Sequence, residues 1–166
     1  MIDDLEPAFK AALRRLAATP CIIAARADDG ARCGMTATAV TALSTGPASL
    51  LVSINRSRSL HRLLHPGLSF SVNLLDEANA GLCGSFAGGL PQADRFAQGS
   101  WREGEGGAPY LDGAASFDCT AQAALDYATH TIVVGLVKTV RNSGEGGPVA
   151  YAHGGLHRLA PWEPPR

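Results

Sequence analysis

TATAVTALSTGPASLLVSIN (36–55) reads as two strands and a turn. TATAVTALS (36–44) alternates, with Val40 and Leu43 suited to a pleated surface, and ASLLVSIN (48–55) is a nearly continuous apolar run; Gly46-Pro47 punctuates the two. Upstream, CIIAARA (21–27) is a further strand that ends in the hairpin signal Asp28-Asp29-Gly30. Downstream, LSFSVNLL (68–75) puts Leu68, Phe70, Val72 and Leu74 on one face and Ser69, Ser71 and Asn73 on the other. SFDCTAQAALDY (116–127), HTIVVGLVKTV (130–140), PVAYAH (148–153) and a short piece from Leu156 to Leu159 complete the set, with Gly144-Glu145-Gly146-Gly147 as a turn. Strands in succession with few helices point to a mainly β fold, an antiparallel barrel rather than a βαβ sheet.

Helices decorate this barrel. Residues 3 to 18 are amphipathic, with Leu5, Ala8, Phe9, Ala12, Leu13 and Leu16 on one stripe, and Pro20 stops the helix. Short helices are expected over 59–64, 76–86 and 91–97, and a glycine-rich loop over 99–109. No repeat or linker divides the chain, so residues 1–166 read as one domain: a helix at about 3–18, then a barrel at about 20–160.

The 166 residues carry a net charge of −1, which leaves no electrostatic footprint for nucleic acid or an anionic membrane. No apolar run approaches the roughly 20 residues of a membrane span, and MIDDLEPAFK lacks the layout of a signal peptide. A cytoplasmic protein is expected. Cys21, Cys33, Cys83 and Cys119 form no CxxC pair and read as small buried hydrophobes.

Several motifs fail on context. Gly104-Glu105-Gly106-Gly107 has no preceding strand or following helix, Asn55-Arg56-Ser57 is a chance sequon, and no G-x-S-x-G elbow occurs. His61/His65 and His153/His157 have i, i+4 spacing without the Glu of a zincin, so no metal is expected. Two stretches say more. In SINRSRSLHRLL (53–64) a strand ending in Asn55, Ser57 and Ser59 runs into a helix; free helix N–H groups, hydroxyls and an arginine at that junction suit a phosphate, although either serine could simply cap that helix. Cys33-Gly34-Met35-Thr36-Ala37-Thr38-Ala39 offers small hydroxyl-bearing residues that let a flat ligand approach the backbone, or an ordinary tightly packed strand. His130 opens an apolar strand; a histidine there is commonly just a polar edge residue, yet it is one of few titratable groups beside apolar surface.

Taken in order, GMTATAVTALS (34–44), LLVSINRSRSLHRLL (50–64), FSVNLL (70–75), FAG (86–88), DRF (94–96), GAPYLDGA (107–114), HTIVVG (130–135) and the closing GPVAYAHGGLHRL resemble the short-chain NAD(P)H:flavin oxidoreductases. These are the reductase components of two-component flavin-dependent monooxygenases. The resemblance implies an FMN-binding split barrel, usually a homodimer with flavin near the subunit interface. It implies an enzyme that reduces FMN or FAD with NADH or NADPH and passes diffusible reduced flavin to a partner monooxygenase. The alternative is a flavin-binding carrier or sensor without reductase activity. By resemblance, Met35, Thr36, Ala37 and Thr38 line the isoalloxazine, while Ser53, Ile54, Asn55, Ser57 and Ser59 hold the ribityl and phosphate end. Phe86, Ala87 and Gly88 complete the pocket and His130 lies beside the nicotinamide. The chain departs from the family where Gly-Asp often precedes this histidine, since Ala128-Thr129 stand there, and in the last strand, where Leu156, with His157 next to it, aligns with a frequent aromatic residue. Asn73 faces either ligand or a barrel neighbour, and Arg95 pairs with either phosphate or Asp94.

Overall fold

The computed structural model describes residues 5–142 and 146–164. In chain order the elements are α1 (Leu5–Leu13), β1 (Cys21–Arg26), β2 (Arg32–Ala37), β3 (Val40–Thr45), β4 (Ala48–Asn55), a 3-10 turn (Ser59–Arg62) and β5 (Ser69–Leu74). There follow α2 (Leu82–Gly84), a single π-helical turn (Ser85–Gly89), α3 (Gln92–Arg95), β6 (Trp101–Glu103), β7 (Pro109–Leu111), β8 (Ala115–Tyr127), β9 (His130–Asn142), β10 (Val149–Ala152) and β11 (Gly155–Arg158).

Seven strands make one antiparallel sheet in the order β2-β1-β5-β8-β9-β4-β3. Laid flat, its two edges would stand about 29 Å apart, at the usual strand spacing. Yet the edge strands β2 and β3 are joined by Thr38-Ala39 alone, a link that reaches no more than about 11 Å. The sheet must therefore roll up until its edges meet. No ladder pairs β2 with β3, and the seam stays open: an antiparallel split barrel.

The run CIIAA is buried throughout because β1 is covered on both faces. Cys21, Ile23 and Ala25 join Val52, Ile54, Phe70, Val72 and Val133 inside the barrel. Ile22 points outward into a second core with Leu75, Leu82, Phe86 and Leu111. The alternation read in β5 holds, and Ser71 and Asn73 on its polar face are buried too. Asn73 accepts the Leu111 N–H at 2.8 Å and donates to the Ile22 carbonyl at 3.0 Å, while Ser71 donates to the Pro109 carbonyl. The β6–β7 hairpin lies over these groups, so Asn73 is a structural anchor.

Some expected boundaries move. TATAVTALS is not one strand, because it crosses the seam at Thr38-Ala39. The first helix ends at Leu13, where the chain is taken over by β10: Arg14 accepts the His153 N–H and Ala18 bridges Tyr151. Residues 3 and 4 of the expected helix, and Gly144 and Glu145 of the expected turn, lie outside the described residues. Over 76–86 the helix forms only from Leu82, since the Asp76 carboxylate caps a turn by accepting the Ala78 and Asn79 N–H groups and Asp76 bridges Pro148. The 59–64 helix is a 3-10 turn, and the expected loop 99–109 contains β6 paired with β7. Among the described residues, no helix is long and apolar enough to cross a membrane.

Candidate functional site

A cleft of about 280 Å³ opens where the end of β2, the turn after β4 and the helical segments 82–95 converge. Met35, Thr36 and Thr38 form one side of it. Ser57, Arg58 and Ser59 form the second, and Phe86, Ala87 and Arg95 close the third.

Each wall has a local cause. Gly34 has no side chain, so β2 packs directly on the rings of Phe86 and Phe96. Those rings and Trp101 form a cluster with centroids 4.9 to 5.4 Å apart, largely edge to face. Thr36 donates to the Cys83 carbonyl at 2.7 Å, tying β2 to α2. Arg95 spends its guanidinium on the Gly34 carbonyl (2.8 Å), Gln92 Oε1 (2.9 Å) and the Leu90 carbonyl (3.0 Å). Its partner is thus the backbone of β2, and Asp94 is no part of that set.

Neither serine caps the 3-10 turn, whose first residue follows Arg58 with no side-chain cap. Ser57 donates to Asn55 Oδ1 at 2.8 Å, and the same oxygen accepts the Ser57 N–H at 2.9 Å. Ser59 Oγ stands 3.4 Å from Gln92 Oε1 and 3.5 Å from Cys33 Sγ. The two hydroxyls therefore face the cleft. Beside them are two arginines, Arg58 and Arg95, and no lining residue is a carboxylate. The sequence points to an arginine at this junction without choosing between Arg56 and Arg58; the structure puts Arg58 in the cleft lining.

The structure thus brings Met35, Thr36, Thr38, Ser57, Ser59, Phe86 and Ala87 together. It turns other expected site residues elsewhere. Ala37 and Ile54 are buried in the barrel core. Ser53 gives its N–H to the Ala39 carbonyl, continuing the β3–β4 ladder, and Asn55 supports Ser57 from behind. Gly88 sits in the π turn with φ +129°. His130 is exposed at the start of β9, opposite Asn55 and Tyr127, with Nδ1 2.9 Å from Thr129 Oγ1, and it does not line the cleft. His157 lies on β11 with its Nε2 3.0 Å from the Ala152 carbonyl.

One polar chain escaped the sequence reading. His61 Nε2 lies 2.7 Å from Thr131 Oγ1, and Thr131 donates in turn to the Asp126 carboxylate. That hydroxyl, with Arg56 and His61 nearby, holds the Asp126 carboxyl below its usual range against a smaller opposing effect of burial. Among the described residues, no group of three or more His, Cys, Asp or Glu side chains could hold a metal ion.

Residues 13–160 match the flavin reductase like domain family. The chain belongs to that family. As a flavin reductase it is 38% identical over 145 residues, 86% of its own length and 81% of the relative's, to the reductase component of an FADH2-dependent resorcinol hydroxylase from Rhizobium sp. (strain MTP-10005). It is 37% identical over 153 residues, 92% of its length and 87% of the relative's, to the FMN reductase (NADH) RutF of Stutzerimonas stutzeri (strain A1501). Among solved structures, the reductase superposes on BorF, the flavin reductase component of a bacterial two-component tryptophan halogenase. The TM-score is 0.83 at 25% identity, covering 95% of this chain and 99% of that one. The expectation of a flavin oxidoreductase with a mainly β split barrel is borne out.

Proposed function

We propose that the chain, acting as one domain, is an NADH-dependent FMN reductase that releases reduced flavin to a partner monooxygenase. The observation that carries this reading is the lining of the cleft: the hydroxyls of Thr36, Thr38, Ser57 and Ser59 beside Arg58 and Arg95, with no carboxylate among them. The two guanidinium groups fit the anionic end of a ligand. The hydroxyls of Thr36, Ser57 and Ser59 give their hydrogens to Cys83, Asn55 and Gln92 and so offer lone pairs to a ligand's own hydroxyls, while Met35, Phe86 and Ala87 give the same cleft an apolar wall for a flat ring. The choice of NADH and FMN, and of a monooxygenase partner, draws on what the similar proteins are named for.

In this reading Ser57 and Ser59, with the two arginines, hold the phosphate end, and Met35, Thr36, Thr38, Phe86 and Ala87 surround the ring. Asn55 contributes by fixing Ser57, Ser53 by holding Ala39 at the start of β3, and Ala37 by its place in the core. When bound, the flavin supplies the hydride acceptor, so the chain needs no nucleophile of its own. His130, exposed beside Asn55, orients the nicotinamide ring. Thr129 Oγ1 fixes its Nδ1 and leaves Nε2 for the cofactor.

We place the protein in the cytoplasm, where four unpaired buried cysteines are at home, and take it to work as a homodimer. The exposed apolar side chains of Leu5, Phe9, Leu13, Leu125 and Tyr127 support the second point.

The test is the loss of absorbance at 340 nm when purified protein meets NADH in air, with and without FMN. Oxidation that depends on flavin is expected. Tight flavin binding without oxidation would instead make the protein a carrier or sensor.

A further inference from the structure

The tip of the β8–β9 hairpin and the segment that follows β4 are tied together more heavily than strand pairing requires. Pairing sets Ile54 opposite Thr131 and Asn55 opposite His130. Beyond it, Arg56 donates its N–H to the Thr129 carbonyl at 2.9 Å, and its guanidinium reaches the Ala128 carbonyl at 3.5 Å and the Asp126 carboxylate at 3.7 Å. Five residues on, His61 reaches back to Thr131. The segment 56–61 is thus pinned at both ends to one hairpin tip, and the cleft residues Ser57, Arg58 and Ser59 lie between the pins.

Counting protons gives the chain a direction. A carboxylate only accepts, so the single hydrogen of the Thr131 hydroxyl goes to Asp126. Thr131 can then only accept from His61, which fixes the proton of His61 on Nε2. Thr131 is 2% exposed; a hydroxyl so buried needs both partners, and losing one is costly.

We infer that this clamp, Arg56 and His61 on one side and Asp126 and Thr131 on the other, is a positioning device for the proposed reaction. It sets the cleft turn 57–59 in register with His130, so that flavin and nicotinamide meet at a fixed distance. Thr131 and His61 are positioning residues, and the inference rests on the role proposed for His130. Hydride transfer is unforgiving of such geometry, since a misplacement of about 1 Å can cost on the order of a hundred-fold in rate.

The test uses the full chain with saturating FMN. Thr131→Val keeps the side-chain volume and the strand preference but removes the hydroxyl, whereas Thr131→Ser keeps the hydroxyl. Thr131→Val is expected to lower kcat with NADH by about ten-fold or more, and Thr131→Ser to restore it to within about two-fold. In a His130→Ala background, Thr131→Val should add little. Asp126→Ala, at an exposed position, should act in the same direction as Thr131→Val and serves if the valine variant folds poorly. Wild-type kcat in both Thr131→Val and Asp126→Ala would overturn the inference. So would equal losses in the valine and serine variants, or an undiminished loss in the His130→Ala background. If His130→Ala alone leaves turnover unchanged, the reading of His130 fails and the inference with it, a pattern distinct from failure of the clamp alone.

Discussion

Gly34 lies against the ring of Phe86: a Cβ placed on Gly34 would stand 2.9 Å from Phe86 Cε1 and 2.9 Å from Phe96 Cζ. Both rings are held by Trp101, so neither can retreat freely. Gly34→Ala should cost between about 1 and 3 kcal/mol, the range for overpacking a filled core. Because Phe86 and Ala87 are a wall of the cleft, flavin affinity should fall as well. Thermal unfolding and a flavin fluorescence titration would check the two effects; an unchanged melting temperature would mean the aromatic cluster yields more easily than its packing suggests.

Ser59 contributes a hydroxyl between Gln92 and Cys33 at the mouth of the cleft. Ser59→Ala should weaken FMN binding by about 1 kcal/mol or more, the scale of a hydrogen bond to a charged group. Riboflavin, which lacks the phosphate, should bind the variant as it binds the wild type. Equal weakening of both ligands would show that Ser59 does not read phosphate.

Asp118 and Arg141 form a two-point ion pair, with both contacts at 2.8 Å, and the Arg141 guanidinium stacks 3.7 Å from the Tyr110 ring centroid. The Asp118 side chain is 9% exposed and that of Arg141 22%. Asp118→Ala leaves a mostly buried cation without its counter-ion and should cost about 2 kcal/mol or more. Replacing both residues by apolar ones of similar volume should cost less than the single change. Chemical denaturation of the three proteins decides the matter.

Burial pushes the thiols of Cys21 and Cys119 up to about 12 from an ordinary 9.0, with the Asp118 carboxylate adding to the shift at Cys119. A group whose folded pKa is raised stabilises the native state fully below its unfolded pKa, and the advantage is lost as pH climbs toward the folded value. Stability should therefore fall between about pH 9 and 12, and a Cys21→Ala/Cys119→Ala variant should lose less over that window. At pH 8 a thiol reagent should leave both cysteines unmodified until denaturant is added; rapid native-state labelling of either would contradict their burial.

The parts of the fold that were legible in sequence are those where one local pattern meets one environment. CIIAA spells a strand, and LSFSVNLL spells its alternation directly. The break at Thr38-Ala39 was not legible, because both residues sit in β-compatible company and the cause is topological: the chain must cross the seam there. The β6–β7 hairpin was hidden by its glycines and by strands of three residues. In the cleft, the hydroxyl row stood out through residue type alone. Ala37 and Ile54 were carried along with their neighbours although their side chains face the barrel core. The clamp had no signature at all, since His61, Asp126 and Thr131 come from distant parts of the chain and meet only after the barrel has rolled up.

The first helix has a different consequence. α1 is nine residues long and none of them is buried; Leu5, Phe9 and Leu13 are 69%, 58% and 45% exposed. A helix so short is marginal in water by itself, because the nucleation cost is barely recovered over two turns. Its helicity must then be borrowed from whatever covers that apolar stripe. If the covering surface is another copy of the chain, the segment becomes an internal gauge of protein concentration, coiled in dilute solution and helical once subunits meet.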